Sequence, residues 1–390
     1  MKIYFIGQKG IPAKLGGVEH HVEELSVRLA QAGHEVYVYV RPNYTSDGLK
    51  EYKGVRLLSL PSIATKHLDA ITHTFRATID VLKKDADIIH YHSIGPSSLL
   101  WIIKLFKPRV PVISTFHSKC YTHKKWGRLA RACLRFGEMV SCLIADETIT
   151  VSQSLAKYAR KRYGKETVYI PNGAPVAEKA SARKIKKWGL EKDNYILNVS
   201  RFVKHKGIHH LIRAYNRVKT DKKLVITGEG FFSGDYAREL ETLANGNKNI
   251  IFTGPQTGRM LRELFSNACL FVQPSESEGL SITLLEAMSY EKAVLVSDIP
   301  ENLEAVGRTG FFFKNKNADG LAEKLNYILG HSEEVATREI LGKERVDKFY
   351  NWEDISRLTI NLYGRAIKEK ESNATKTRIK LVKKLVHFLF

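Results

Sequence analysis

A chain of 390 residues, 43% hydrophobic and 26% charged, is too long for one compact core and too apolar for large-scale disorder, so it suits two globular domains. Its formal net charge of +21 implies either a polyanionic partner (nucleic acid, an anionic membrane surface, phosphorylated ligands) or a basic surface kept for solubility. No apolar run approaches the roughly 20 residues that span a bilayer, so the chain is not expected to cross one.

Met1–Gly7 is too short for a signal peptide and reads as a first strand, Lys2–Ile6. Further strands are expected at Glu35–Val40, Val55–Leu60, Asp87–Tyr91, Val112–Thr115, Leu143–Thr150 and Thr167–Ile170. Helical periods lie between them, such as Val18–Ala32 with Val22, Leu25, Leu29 and Ala32 on one face. After the turn-rich Pro171-Asn172-Gly173 the pattern restarts, with strands at Tyr195–Val199, Leu224–Thr227, Ile250–Thr253, Leu270–Gln273, Ala293–Ser297 and Gly310–Phe313. Strands alternating with helices predict parallel sheets covered on both faces: an α/β fold of two facing, doubly wound domains with a cleft between them. Ligands in such sheets sit beyond the carboxyl ends of strands. Cys120, Cys133, Cys142 and Cys269 form no C-x-x-C pair and are read as reduced thiols.

Those carboxyl ends hold the candidate residues. Gly16-Gly17, at the start of the first helix, either form a turn or let backbone N–H groups approach a phosphate. The segment is not G-x-G-x-x-G and no acidic residue ends the second strand, which disfavours a nicotinamide cofactor. His117 ends the strand Val112–Thr115 and is a ligand candidate; His90 and His92 are expected to be ordinary structural residues. Asp85-Ala86-Asp87 matches a metal-chelating D-x-D but precedes its strand, so it reads as a solvated strand start. In the second half, Arg201 follows a strand and Lys206-Gly207 opens a helix; two cations converging on one site can neutralise a diphosphate leaving group. Glu278 lies in the loop after Leu270–Gln273 and Glu286 in the next helix. The helix start between them, Ser281-Ile282, offers free amides to a phosphate.

With these residues in place, the chain resembles the retaining glycosyltransferases of family 4, whose GT-B fold sets two Rossmann-like domains facing each other. The resemblance rests on Gly16-Gly17-Val18-Glu19, Gly33-His34-Glu35-Val36, Arg201 with Lys206-Gly207, and Glu278 to Glu286. It also covers Ile170-Pro171-Asn172-Gly173 and Trp352 with the helix after it. It implies an N-terminal acceptor domain at 1–172, a nucleotide-sugar-binding domain at 173–352, a helix crossing back at 353–370 and a tail at 371–390. It further implies that Glu278 bonds hydroxyls of the donor sugar and Glu286 holds the ribose, while Arg201 and Lys206 stabilise the departing diphosphate. Ser281 and Ile282 amides would touch phosphates, Gly16 and Gly17 would close over from the other domain, and His117 would contact the sugar near the reacting carbon. Two positions depart from the family pattern, Ser118 after that histidine and Ser281, where glycine is common.

The reaction so implied is transfer of a sugar from a UDP- or GDP-linked donor with retention, needing no metal and no other cofactor. Attack comes from the leaving-group side, with the departing phosphate oxygen as base. The alternatives are a nucleotide-sugar epimerase of similar architecture, a catalytically silent sugar-nucleotide-binding subunit and a nucleic-acid-binding protein. The last leaves Glu278 and Glu286 unexplained.

The charge is unevenly placed. No Asp or Glu occurs from Ile88 to Gly137. There Lys124, Arg128, Arg131 and Arg135 fall at helical spacing opposite a stripe of Trp126, Leu129, Cys133, Phe136 and Val140, which is expected to face the core. In the tail, a helix over 377–390 would set Lys380, Lys383, Lys384 and His387 against an apolar face, a pattern suited to a membrane interface. The chain is therefore expected to be cytoplasmic and peripherally bound to the inner face of the cell membrane, with a glycan or polyprenyl-linked acceptor.

Overall fold

The computed structural model describes residues 1–389 apart from 15, 47, 66–67, 123–125 and 230–233; the side chains of residues 122 and 373–389 also lie outside the described residues. The chain divides into two compact units, one built on Met1–Tyr121, Gly127–Ile170 and Glu353–Phe390, the other on Pro171–Trp352.

The first unit holds an eight-stranded sheet of β1 (Lys2–Ile6), β2 (Glu35–Val40), β3 (Glu51–Tyr52), β4 (Val55–Ser59), β5 (Ile88–His92), β6 (Val112–Phe116), β7 (Glu147–Thr150) and β8 (Val168–Tyr169). Their order is β3-β4-β2-β1-β5-β6-β7-β8, parallel except where β3 meets β4. The helices are α1 (Gly17–Gln31), α2 (Asp69–Val81), α3 (Ile94–Ser97), α4 (Leu100–Phe106), α5 (Arg128–Leu143) and α6 (Gln153–Tyr163). Strands β5 and β6 are buried along their whole length, as central parallel strands are. The strand expected from Leu143 begins only at Glu147, because the apolar run Leu143–Ala145 completes and leaves α5. The short β3 carries no hydrophobic run and was not anticipated. Asp85 and Asp87 meet the Lys2 ammonium and backbone N–H at 2.6 and 2.7 Å, which makes them the strand start their position suggested.

Several buried polar groups of this unit are paired with one another. His90 has Tyr363 Oη at 2.6 Å from Nδ1 and Thr115 Oγ1 at 2.7 Å from Nε2, which ties the last helix to the sheet. A line of serine hydroxyls crosses the core: Ser141 lies 2.6 Å from Ser114, Ser114 lies 2.8 Å from Ser97, and Ser97 donates to the Ser93 carbonyl. Helix α5 lies so close to α3 that a Cβ on Gly137 would stand 2.0 Å from the Ile94 carbonyl oxygen.

The second unit holds a six-stranded, all-parallel sheet: β9 (Tyr195–Val199), β10 (Lys223–Thr227), β11 (Ile250–Gly254), β12 (Leu270–Gln273), β13 (Val294–Ser297) and β14 (Phe311–Phe313). Its order is β11-β10-β9-β12-β13-β14, the doubly wound arrangement that reverses between its first and fourth strands. The helices are α7 (Ile208–Tyr215), α8 (Gly234–Ala244), α9 (Gly258–Asn267), α10 (Ile282–Ser289), α11 (Pro300–Val306), α12 (Ala318–Leu329) and α13 (Ser332–Phe349). Ile196, Leu224, Ile226, Leu270, Val272 and Leu295 from the sheet pack with Leu211, Leu240, Leu321 and Leu325 from the helices. After this unit, α14 (Trp352–Leu389) runs to the end of the described chain, and Arg365 pairs with Glu147 at 3.1 Å. The tail anticipated as a basic amphipathic helix is helical in backbone; its side chains lie outside the described residues.

The stripe on α5 corrects an expectation. Val140 is buried, but Leu129 is 80% exposed and Cys133, Phe136 and Leu143 are also exposed, beside exposed Arg128, Arg131 and Arg135. Only the C-terminal half of α5 turns a face to the core, through Gly137, Val140, Ser141 and Cys142. Lys124 lies outside the described residues.

Gly137→Ala is expected to destabilise the first unit by about 1–3 kcal/mol, since the contacted atom is backbone and cannot swing away. Gly127→Ala, with nothing within 4 Å, should stay within about 0.5 kcal/mol of the parent. Urea unfolding of the two variants checks both figures.

Candidate active site

The two sequence segments flanking the reversal of the second sheet carry most of the candidate residues. Beyond β9 the chain makes a tight turn at Lys204–Lys206, and Gly207 then caps α7 with φ of 67°. A Cβ there would lie 1.9 Å from the Pro274 carbonyl oxygen, so both the backbone angle and the approach require glycine. The loop after β12 is held against this turn by a second backbone contact, Glu276 N–H to the His205 carbonyl at 2.7 Å. These contacts set Lys206 Nζ 2.6 Å from Glu278 Oε1, with the two side chains only 13% and 10% exposed.

Ser281 caps α10, its Oγ accepting from Leu284 N–H. The same hydroxyl donates to Gln273 Oε1 at 2.7 Å, Gln273 donates to Asn302 at 2.8 Å, and Asn302 donates to Ser297. This buried relay fixes where α10 begins, while the amides of its first turn have no partner inside the helix. Glu286 follows one turn later, half-buried. Arg201 lies two residues past β9 with its side chain exposed. The structure thus joins Lys206 to Glu278 directly and puts the Ser281 cap in the same loop–helix segment; it shows no direct contact between Arg201 and that pair among the described residues.

A third carboxylate, Glu276, was not singled out in the sequence. His210 Nε2 lies 3.2 Å and Lys316 Nζ 3.3 Å from it. Burial pushes its carboxyl up, but the His210 hydrogen bond and the Lys316 charge outweigh that and hold it below the usual range. Burial, helped by His210, takes His209 down to about 4.

In the first unit the sheet order reverses between β1 and β5, and three histidines gather beyond those strands. His117 follows β6 and is buried; its Nε2 is 3.2 Å from Nδ1 of His92, at the end of β5. The ring of His21, from α1, stands edge-on to His117 with centroids 4.8 Å apart. Burial, reinforced by neighbouring imidazoles, holds His92 and His117 well below the ordinary histidine range. His90 fits its expected structural role, and His92 is likewise fully buried, packed beside Phe5 and His90 and bonded to His117. Gly16 caps α1 with φ of 109°, and the turn before it is clamped: Glu19 accepts from Lys9 N–H and Glu23 from Ala13 N–H.

A family described as Glycosyltransferase Family 4 matches residues 15–178, and one described as Glycosyl transferases group 1 matches residues 181–344. The chain belongs to the GT-B glycosyltransferases. It is 27% identical to an uncharacterized glycosyltransferase of Methanocaldococcus jannaschii, over 93% of this chain and 98% of the relative. It is 25% identical to O-antigen chain mannosyltransferase C of Escherichia coli, over 95% of this chain and all of that protein. Among solved structures, Anabaena HepE in complex with UDP-glucose is similar in fold, with a TM-score of 0.77 and 19% identity over 96% of this chain and all of that one. Glycan synthesis is supported for this glycosyltransferase by relatives such as the O-antigen mannosyltransferase.

Reading the glycosyltransferase from sequence missed Glu276, His21 and the Gln273–Asn302 relay. Buried polar residues inside apolar runs, such as Gln273 in Leu-Phe-Val-Gln, were the available signal.

Lys206→Met should destabilise the second unit by about 3–5 kcal/mol, because it leaves the Glu278 carboxylate buried without its cation. Adding Glu278→Gln to that variant should restore most of the loss. Denaturant midpoints of the single and double variants read the coupling directly.

Proposed function

We propose that this glycosyltransferase moves a sugar from a UDP- or GDP-linked donor to a lipid-linked glycan acceptor, retaining the anomeric configuration and using neither metal nor cofactor, at an anionic membrane surface. The observation that carries this reading is the nearly buried Lys206–Glu278 pair beside the start of α10. A buried ammonium next to free helix amides suits a leaving diphosphate, and the carboxylate beside it suits sugar hydroxyls.

In this reading Lys206 and Arg201 take up the negative charge that grows on the diphosphate as the bond from the anomeric carbon to the phosphate oxygen breaks. The Ser281 and Ile282 amides bond phosphate oxygens, and Glu286 accepts from the ribose hydroxyls. The acceptor O–H attacks the anomeric carbon from the face the diphosphate leaves, which yields retention, and its proton passes to the departing phosphate oxygen. Glu278 and His117 orient the sugar, and the Gly16-Gly17 helix start adds amides to the phosphates. Each charge-assisted contact made only in the transition state contributes on the order of 2.7–4 kcal/mol. The HepE complex with UDP-glucose favours UDP as the first donor to try. The E. coli O-antigen mannosyltransferase favours a surface polysaccharide or glycolipid as the product class.

Peripheral attachment, on the inner face of the cell membrane, is supported by the exposed side chains of Trp101, Leu105 and Phe106 on α4 and of Leu129, Phe136 and Leu143 on α5, flanked by the α5 arginines. Aromatic and aliphatic groups beside cations are what an anionic interface binds. Among the described residues, no helix is long and apolar enough to cross a membrane.

A panel of nucleotide sugars should yield one donor class that raises the melting temperature, with about 2.7 kcal/mol of stabilisation at a hundredfold excess over Kd. With acceptor present, NMR of the product should show the donor's anomeric configuration, and chelator should leave the rate unchanged. Conversion of donor to an epimer without acceptor would overturn the reading. In flotation with phosphatidylglycerol vesicles, Leu129→Ser/Phe136→Ser should weaken binding at least tenfold, and deletion after Asn373 should abolish it while donor binding persists. Equal vesicle binding by all three proteins would remove the membrane assignment.

A further inference from the structure

His21, His92 and His117 are three buried imidazoles from three separate elements, and each offers one ring nitrogen within 4.8 Å of the other two. The His92 Nδ1 to His117 Nε2 distance of 3.2 Å is close to the separation of about 3.3 Å between two nitrogens bound tetrahedrally to one zinc ion at about 2.0–2.1 Å. His90 makes the useful contrast. Both its nitrogens are taken by Tyr363 and Thr115, so it serves the fold. His92 is fully buried, and while its Nδ1 meets His117, its Nε2 has no hydrogen-bond partner among the described residues.

We propose that His21, His92 and His117 form a site for a borderline divalent transition metal of the zinc class, with water or an anion as fourth ligand, and that its occupation inhibits transfer. Three nitrogen donors select zinc, cobalt, nickel or copper over magnesium and calcium, which prefer oxygen. The second histidine cluster, His209, His210 and Glu276, is a poorer site. Its carboxylate is already neutralised by the Lys316 ammonium at 3.3 Å, which would repel a dication. The inhibitory effect rests on the proposed role of His117 at the donor sugar: a metal-bound imidazole has lost the lone pair that a sugar hydroxyl would use. Metal binding itself does not depend on that role.

The test is cobalt(II) titration of the chelator-stripped full-length chain. One equivalent should give the intense visible absorption of four-coordinate cobalt, bleached by zinc. His21→Gln and His92→Gln should each lose it, and His209→Gln/His210→Gln should keep it; circular dichroism confirms that each variant is folded. A weak octahedral band, full absorption in His21→Gln, or loss only in the His209/His210 variant overturns the site. Zinc should also lower the transfer rate of the parent at least tenfold and that of His21→Gln at most twofold; equal inhibition of both overturns the regulatory role. Failure of every nucleotide sugar as donor would remove the functional reading while leaving the cobalt result standing.

Discussion

The turn ending in Gly207 and the loop beginning at Pro274 touch backbone to backbone, with no room for even a methyl group. Gly207 reaches that approach in the left-handed region, and the Glu276 N–H closes a second bond onto His205. From this contact follows the position of Lys206 against Glu278. A salt bridge this enclosed is costly to assemble from water, because both ions lose hydration. It holds because the two loops are docked by their main chains first, so the side chains pay little further ordering entropy to meet. The pair thus works as a preset charge arrangement rather than as a source of stability.

Much of the architecture was legible because parallel sheets write themselves as apolar runs. Tyr195–Val199 and Leu270–Gln273 appear in the structure with the ends expected, and His117, Arg201 and Glu278 lie past strand ends as anticipated. The reversal point of the second sheet lies between β9 and β12, whose following segments had supplied the basic pair and the two glutamates. What the sequence did not carry was pairing across distance. Nothing in Pro274–Glu278 says that Glu276 finds His210 while Glu278 finds Lys206, two positions that differ by one side of a loop.

Helix α5 shows the opposite failure. Its period of apolar residues is regular, and a regular stripe is usually a buried one. Here the stripe is longer than the face available to bury it: α3 covers only the stretch near Gly137, and Leu129 and Phe136 lie to the outside. Amphipathic period reports that a helix has an apolar side, not what covers that side. On the membrane reading proposed above, the arginines beside it would complete that exposed face, since a basic flank is what an interface with anionic headgroups favours. The same lesson applies to His92, whose place in the run Ile-Ile-His-Tyr-His looked like filler. Strand alternation puts His92 on the same face as His90, and the rings of His21 and His117 meet it there as well.

The serine line through the first unit has a direction. A hydroxyl owns a single proton, and Ser97 gives its own to the Ser93 carbonyl. Ser114 must then give to Ser97 and Ser141 to Ser114, so three weakly polar side chains add up to one oriented dipole crossing α5, β6 and α3. Its polarity is set by a single main-chain oxygen at the far end. The links are therefore unequal: losing Ser97 strands the Ser114 proton, whereas losing Ser141 strands none and leaves the remaining two bonds intact.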